Sequence, residues 1–143
     1  LRESNQPCQY DHTILLAHGS RDPEWAAPFK ELEKQLINDF PSVSVAFMEL
    51  STPNIDEAVQ EASAKGAKRI AILPLFFATG KHLKFDVPAM LPPLQERFNV
   101  NIDLLPALGE QRQFRSMIKH LVGSLLSEHQ QADIGEASQQ EYR

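Results

Sequence analysis

Two histidines stand in glycine-containing segments: His18 in His18-Gly19-Ser20-Arg21, and His82 in Gly80-Lys81-His82. A neutral imidazole offers a lone pair to a borderline transition metal and takes up a proton near neutral pH, so such a residue serves as ligand or as base. Glu49, at the end of an alternating segment, adds a carboxylate. Two imidazoles and a carboxylate suit cobalt, nickel, iron or zinc, with coordination positions left for a substrate. Other roles stay open at this point. A histidine at a strand end also works as a hydrogen-bonded structural group, and Glu49 as a surface carboxylate paired with a cation. His12, His120 and His129 fall before the first strand or on the last helix, where solvated or structural roles are expected. Cys8 is the single cysteine, which excludes a cysteine-based zinc site and an intrachain disulfide framework.

These residues need elements to bring them together. The apolar run Thr13–Ala17 ends at His18-Gly19 and predicts a buried first strand. Trp25, Phe29, Leu32, Leu36 and Phe40 recur at helical spacing, which predicts a helix capped by Asp22 with Pro23 at its first position and those aromatics in the core. Val43, Val45 and Phe47 alternate with Ser44, Ala46 and Met48 in a second strand that reaches Glu49-Leu50. Ser51 or Thr52 is the expected cap of a second helix with Ile55, Ala58, Val59 and Ala62 on its apolar face and Gly66 as its stop. Arg69–Phe77 reads as a central strand covered on both faces, followed by the loop Ala78–Leu83. Asp86 is the expected cap of a third helix, which Pro92-Pro93 should kink or split. Val100–Leu105 predicts a fourth strand, and Phe114, Ile118, Leu121, Val122 and Leu125 form one face of a last helix.

Strands alternating with helices predict an α/β domain: an open parallel sheet of about four strands, helices on both faces, in a flavodoxin-like order 2-1-3-4. Ligands in such sheets bind beyond the carboxyl ends of the strands, where strand order reverses, here between strands one and three. That rule selects the loops bearing His18 and His82. The same loops hold Ser20, Arg21, Thr79, Lys81 and Lys84, which are candidates for binding an anionic substrate, the three cations by charge. Residues 1–12 read as a polar extension, 13–129 as one domain and 130–143 as a frayed polar tail. A formal charge of −5 argues against a general nucleic-acid binder. No apolar stretch approaches the ~20 residues of a membrane span. Nothing in residues 1–12 resembles a secretory signal, so a cytoplasmic location is expected.

The order His18-Gly19-Ser20-Arg21, then Glu49-Leu50 before Pro53-x-Ile55, then Pro74-Leu75-Phe76-Phe77 leading to Gly80-Lys81-His82 and Asp86-Val87-Pro88, resembles the class II tetrapyrrole chelatases of the CbiX and SirB type. The likeness runs from about Thr13 to Gly109. It implies a chelatase-like α/β fold that inserts a divalent metal, Co2+, Ni2+ or Fe2+, into sirohydrochlorin or a related tetrapyrrole without ATP or a nucleotide. On that resemblance His18 and His82 bind the metal and accept pyrrole protons, and Glu49 assists. The short form of the family implies a homodimer whose cleft lies between subunits. Whether the product feeds siroheme, cobalamin or another tetrapyrrole follows from the metal. The chain departs from the commonest pattern at Lys81, Phe85 and Pro92-Pro93. Those departures motivate an alternative, a non-catalytic metal or tetrapyrrole carrier or sensor. A phosphoryl-transfer reading of His18 would require an arginine where Ala17 stands.

Overall fold

Residues Ile14–Ala17 are apolar at every position, as a strand covered on both faces requires. β1 (His12–Ala17) accordingly lies inside the sheet, between β2 (Val43–Phe47) and β3 (Arg69–Pro74). β4 (Asn101–Leu104) pairs with β3 to complete an all-parallel sheet in the expected order β2-β1-β3-β4. Leu15 lies opposite Val45 on one side and Leu73 on the other, which fixes the register of the three inner positions. The computed structural model describes residues 9–126, so Cys8, His129 and the expected tail 130–143 lie outside the described residues.

Parallel neighbours need helical crossovers, supplied by α1 (Ala27–Ile37), α2 (Ile55–Ala64) and α3 (Val87–Phe98), while α4 (Arg112–Leu125) follows the last strand. The pleat sends Ile14, Leu16, Ile70 and Ile72 to one face, where they pack with Val59 of α2 and Leu94 of α3. Leu15, Ala17, Val45 and Phe47 face the other way and pack against Phe29, Leu32 and Leu36 of α1. Ile55 and Val59 are almost wholly buried, and each such burial contributes about 1.5–3 kcal/mol. That face, more than helix propensity, orders α2.

Several boundaries differ from the sequence expectation for local reasons. His12 does not precede β1 but opens it, buried, with its Nε2 2.8 Å from the Ser44 hydroxyl. α1 starts only at Ala27, because the Asp22 carboxylate accepts from Glu24 N–H and the Asp22 carbonyl from Trp25 N–H, a turn that competes with helix. Trp25 therefore falls outside the helix, while Phe40 lies beyond its end at Ile37, and both are exposed rather than in the core. The cap of α2 is Asn54 rather than Ser51 or Thr52: its side chain accepts from Glu57 N–H while the Glu57 carboxylate accepts from Asn54 N–H. Gly66, at φ 99°, follows the helix as the expected stop.

β2 ends at Phe47, short of Glu49, and β3 ends at Pro74, short of Phe77. α3 is neither split nor preceded by an Asp86 cap. A π-helical turn, His82–Asp86, runs straight into it, and Pro92 and Pro93 sit inside one continuous helix. Both prolines are on the exposed side while Leu91 and Leu94 anchor the helix to the core, so the carbonyls deprived of partners can be solvated. α4 follows its predicted pattern, yet none of its residues is buried: Met117, Leu121, Val122 and Leu125 are exposed. Among the described residues no helix is long and apolar enough to cross a membrane.

Candidate active site

β1 delivers its chain to the carboxyl edge of the sheet, where Ala17 is still buried and His18 emerges. The next residue must be glycine for a steric reason. A Cβ at Gly19 would lie 1.5 Å from the Glu49 carbonyl oxygen, so the 49–51 loop can close on the 18–20 loop only over a bare Cα. Leu50, at φ 64°, turns the chain in the left-handed region just there. The two loops are latched by Ser51, whose hydroxyl accepts from Ser20 N–H and donates to the Ser20 carbonyl, both at 3.1 Å. This closure brings Glu49 Oε1 to 3.7 Å from His18 Nδ1. Both side chains are about half exposed, 49% and 48%, so the pair orients the ring more than it stabilises the fold.

The second loop arrives from β3. Leu75 N–H donates to the Leu16 carbonyl at 2.7 Å, continuing the pairing past the strand. Phe76 then lies flat on His18, with ring centroids 4.2 Å apart and planes within 13°. His82 stands on the π-helical turn, and Asp86, one wide turn on, places Oδ2 2.7 Å from His82 Nδ1. The His18 and His82 rings come to 6.1 Å between centroids at 72°. With metal–nitrogen bonds of about 2.0–2.1 Å, two imidazoles on one ion have centroids roughly 5 Å apart at a tetrahedral angle. The observed spacing is wider by about 1 Å, so the rings share an ion after a small inward shift of one of them. Each Nδ1 faces a carboxylate, which in a neutral ring favours the proton there and leaves the Nε2 lone pair for a ligand. Among the described residues no three His, Cys, Asp or Glu side chains form a closed metal cage.

Both imidazoles open onto a cavity of about 420 Å³ walled by Trp25, Phe29, Phe76 and Phe77. Trp25, expected in the core, is 42% exposed and donates from Nε1 to the His18 carbonyl at 2.6 Å. Of the predicted loop residues, Ser20 and Thr79 spend hydrogen bonds on the loops themselves. The Ser20 hydroxyl accepts from Asp22 N–H, and Thr79 donates N–H and hydroxyl to Glu110. Arg21, Lys81 and Lys84 are exposed and line no part of the aromatic cavity. Sequence reasoning missed Phe76, Trp25 and Asp86 as site residues. Only Asp86 carried a usable signal, its position four residues after His82.

Comparison with known proteins bears on this arrangement. The family model described as CbiX matches residues 12–125. The sirohydrochlorin cobaltochelatase of Sulfolobus acidocaldarius is 31% identical over 114 residues, covering 80% of this chain and 91% of its own length. That of Saccharolobus islandicus strain L.S.2.15 / Lassen #1 is 40% identical over 78 residues, 54% of this chain, and the match spans only 61% of the relative's length. Among solved structures, a CbiX protein of cobalamin (vitamin B12) biosynthesis from Marinobacter aquaeolei VT8 superposes with a TM-score of 0.70. It is 34% identical, over 79% of this chain and 94% of that one.

Proposed function

Because the chain belongs to the CbiX family, we propose that it is a metal chelatase that inserts a divalent ion, cobalt in the first place, into sirohydrochlorin or a closely related tetrapyrrole. The single observation that carries the reading is the imidazole pair, 6.1 Å apart at the mouth of an aromatic cavity. Ligand chemistry alone admits nickel and ferrous iron as alternative substrates, since imidazole and carboxylate serve all three.

In this reading His18 and His82 receive the ion through Nε2, with Asp86 and Glu49 behind their Nδ1 atoms. The cleft holds the macrocycle bent, so that its pyrrole lone pairs turn toward the ion. As the ion passes from the imidazoles to the ring nitrogens it frees each Nε2, which, aided by Glu49, takes up one of the two leaving pyrrole N–H protons and passes it to solvent. The ion's charge is thereby exchanged for two protons, so no oxidant, reductant or ATP enters the balance. Trp25, Phe29, Phe76 and Phe77 supply an apolar wall for the ring. Arg21, Lys81 and Lys84, exposed on the same loops, are the cations available to meet the peripheral carboxylates, while Ser20 and Thr79 shape the loops that present them. Two copies associate as a homodimer, a reading supported by the exposed apolar stripe of α4.

The test is cobalt insertion into sirohydrochlorin followed by absorbance, with ferrous iron and nickel in parallel. Multiple turnovers dependent on both histidines are expected. Parent-like rates in His18→Ala and His82→Ala would overturn the assignment, and stoichiometric binding without turnover would mark a carrier instead.

A further inference from the structure

The turn Leu108–Glu110, between β4 and α4, touches neither imidazole, yet it holds the segment that leads from Phe76 toward His82 at three points. Gly109 N–H donates to the Phe76 carbonyl at 2.9 Å. Gly109 also lies directly against the next peptide, where a Cβ would stand 1.6 Å from the Phe77 carbonyl oxygen. Glu110 Oε1 then accepts both from Thr79 N–H, at 3.0 Å, and from the Thr79 hydroxyl, at 2.7 Å. The hydrogen bonds from Thr79, chiefly, hold the Glu110 carboxyl below its ordinary pKa, so the ionised acceptor makes this grip. The turn is itself anchored: Glu110 N–H donates to the carbonyl of buried Ala107 at 2.9 Å, and Arg115 Nε to the Gly109 carbonyl at 3.0 Å.

We propose that Glu110 is a positioning residue: by gripping Thr79 it fixes the Phe76–Thr79 segment, keeping Phe76 stacked on His18 and His82 facing the same point. Its consequence for metal insertion rests on the chelatase reading, but its geometric content does not. A carboxylate near the start of α4 thus sets the spacing of two histidines on other loops. Misplacing catalytic groups by about 1 Å can cost on the order of 10²-fold in rate.

The experiment compares the full chain with Glu110→Ala, Glu110→Gln and Thr79→Val, reading the His18 ring proton shifts by NMR and the cobalt insertion rate. Stacking under Phe76 displaces the His18 ring protons upfield. Glu110→Ala should lose that displacement and lower kcat roughly 10- to 100-fold at little changed KM. Glu110→Gln, which keeps a neutral acceptor, should retain most of both. Thr79→Val, losing only the hydroxyl bond, should fall between. A folded Glu110→Ala variant with parent ring shifts and parent kcat overturns the proposal; if that variant does not fold, parent ring shifts in Thr79→Val do so. A parent protein that inserts none of cobalt, ferrous iron and nickel would sink the chelatase reading and leave the ring shifts to decide the role of Glu110.

Discussion

Asp86 decides which nitrogen of His82 remains available, because a carboxylate 2.7 Å from Nδ1 holds a proton there. Removing such a partner typically costs 10- to 100-fold in metal affinity or activity, so Asp86→Ala should lower initial cobalt-insertion rates by about that factor. Asp86→Asn keeps an acceptor for Nδ1–H and should lose less. His82→Ala removes ligand and base together, and its loss should be larger, on the order of 10²–10⁴-fold. Equal rates in Asp86→Ala and parent would mean that the His82 tautomer does not limit the reaction. His18 is held differently, by the Phe76 face and by Glu49 at the looser distance of 3.7 Å. Glu49→Gln should therefore be milder than Asp86→Ala.

The loops that carry these residues are shaped by the elements they join. Gly19 lets the β1–α1 and β2–α2 connections touch, and Gly19→Ala has nowhere to put its methyl except against the Glu49 carbonyl. Overpacking of that kind costs about 1–3 kcal/mol, which a lowered melting temperature would register, and separation of the loops should reduce metal insertion as well. Asn54→Ala provides the contrasting case. It removes a capping box and should cost about 1 kcal/mol of stability while leaving the insertion rate of the folded protein unchanged. An activity loss as large as that of Gly19→Ala would show that the α2 start reaches the site after all.

Taken as a whole, the molecule places its polar burial at the opposite end of the sheet from the imidazole pair. Burial of His12 lowers its pKa from 6.5, with Lys65 adding to the effect and Glu61 and Glu33 opposing it. The unfolded chain thus binds the proton first, so stability is full above 6.5 and falls as pH drops through that value toward the folded pKa. Asp11, its carboxylate held down by the Lys68 and Arg69 backbone N–H groups, contributes stability above its ordinary 3.8 that is lost as pH falls below it. Urea midpoints should decline between pH 7.5 and 5.5, and His12→Gln should flatten that decline; an unchanged slope would exclude His12 as its source. The exposed stripe Met117, Leu121, Val122 and Leu125 makes a second whole-molecule expectation. Light scattering should give the mass of a dimer, and Leu121→Asp should shift it to the monomer if α4 forms the contact.

The amino-acid sequence by itself specified the strand order and the two loops that meet at its reversal, because apolar periodicity is local and parallel strands admit few connections. It therefore located His18, His82 and Glu49 at one sheet edge. Contacts that depend on where a loop turns in space were beyond it. Phe76 stacks on His18 because the chain leaves β3 three residues earlier than its apolar run suggests. Trp25 reaches the cavity because an Asp22 turn delays α1, and Asp86 meets His82 because a π-helical turn replaces the expected cap. In the last two cases a hydrogen-bonded turn overrode the periodic pattern, and only the folded chain shows which of the two prevails.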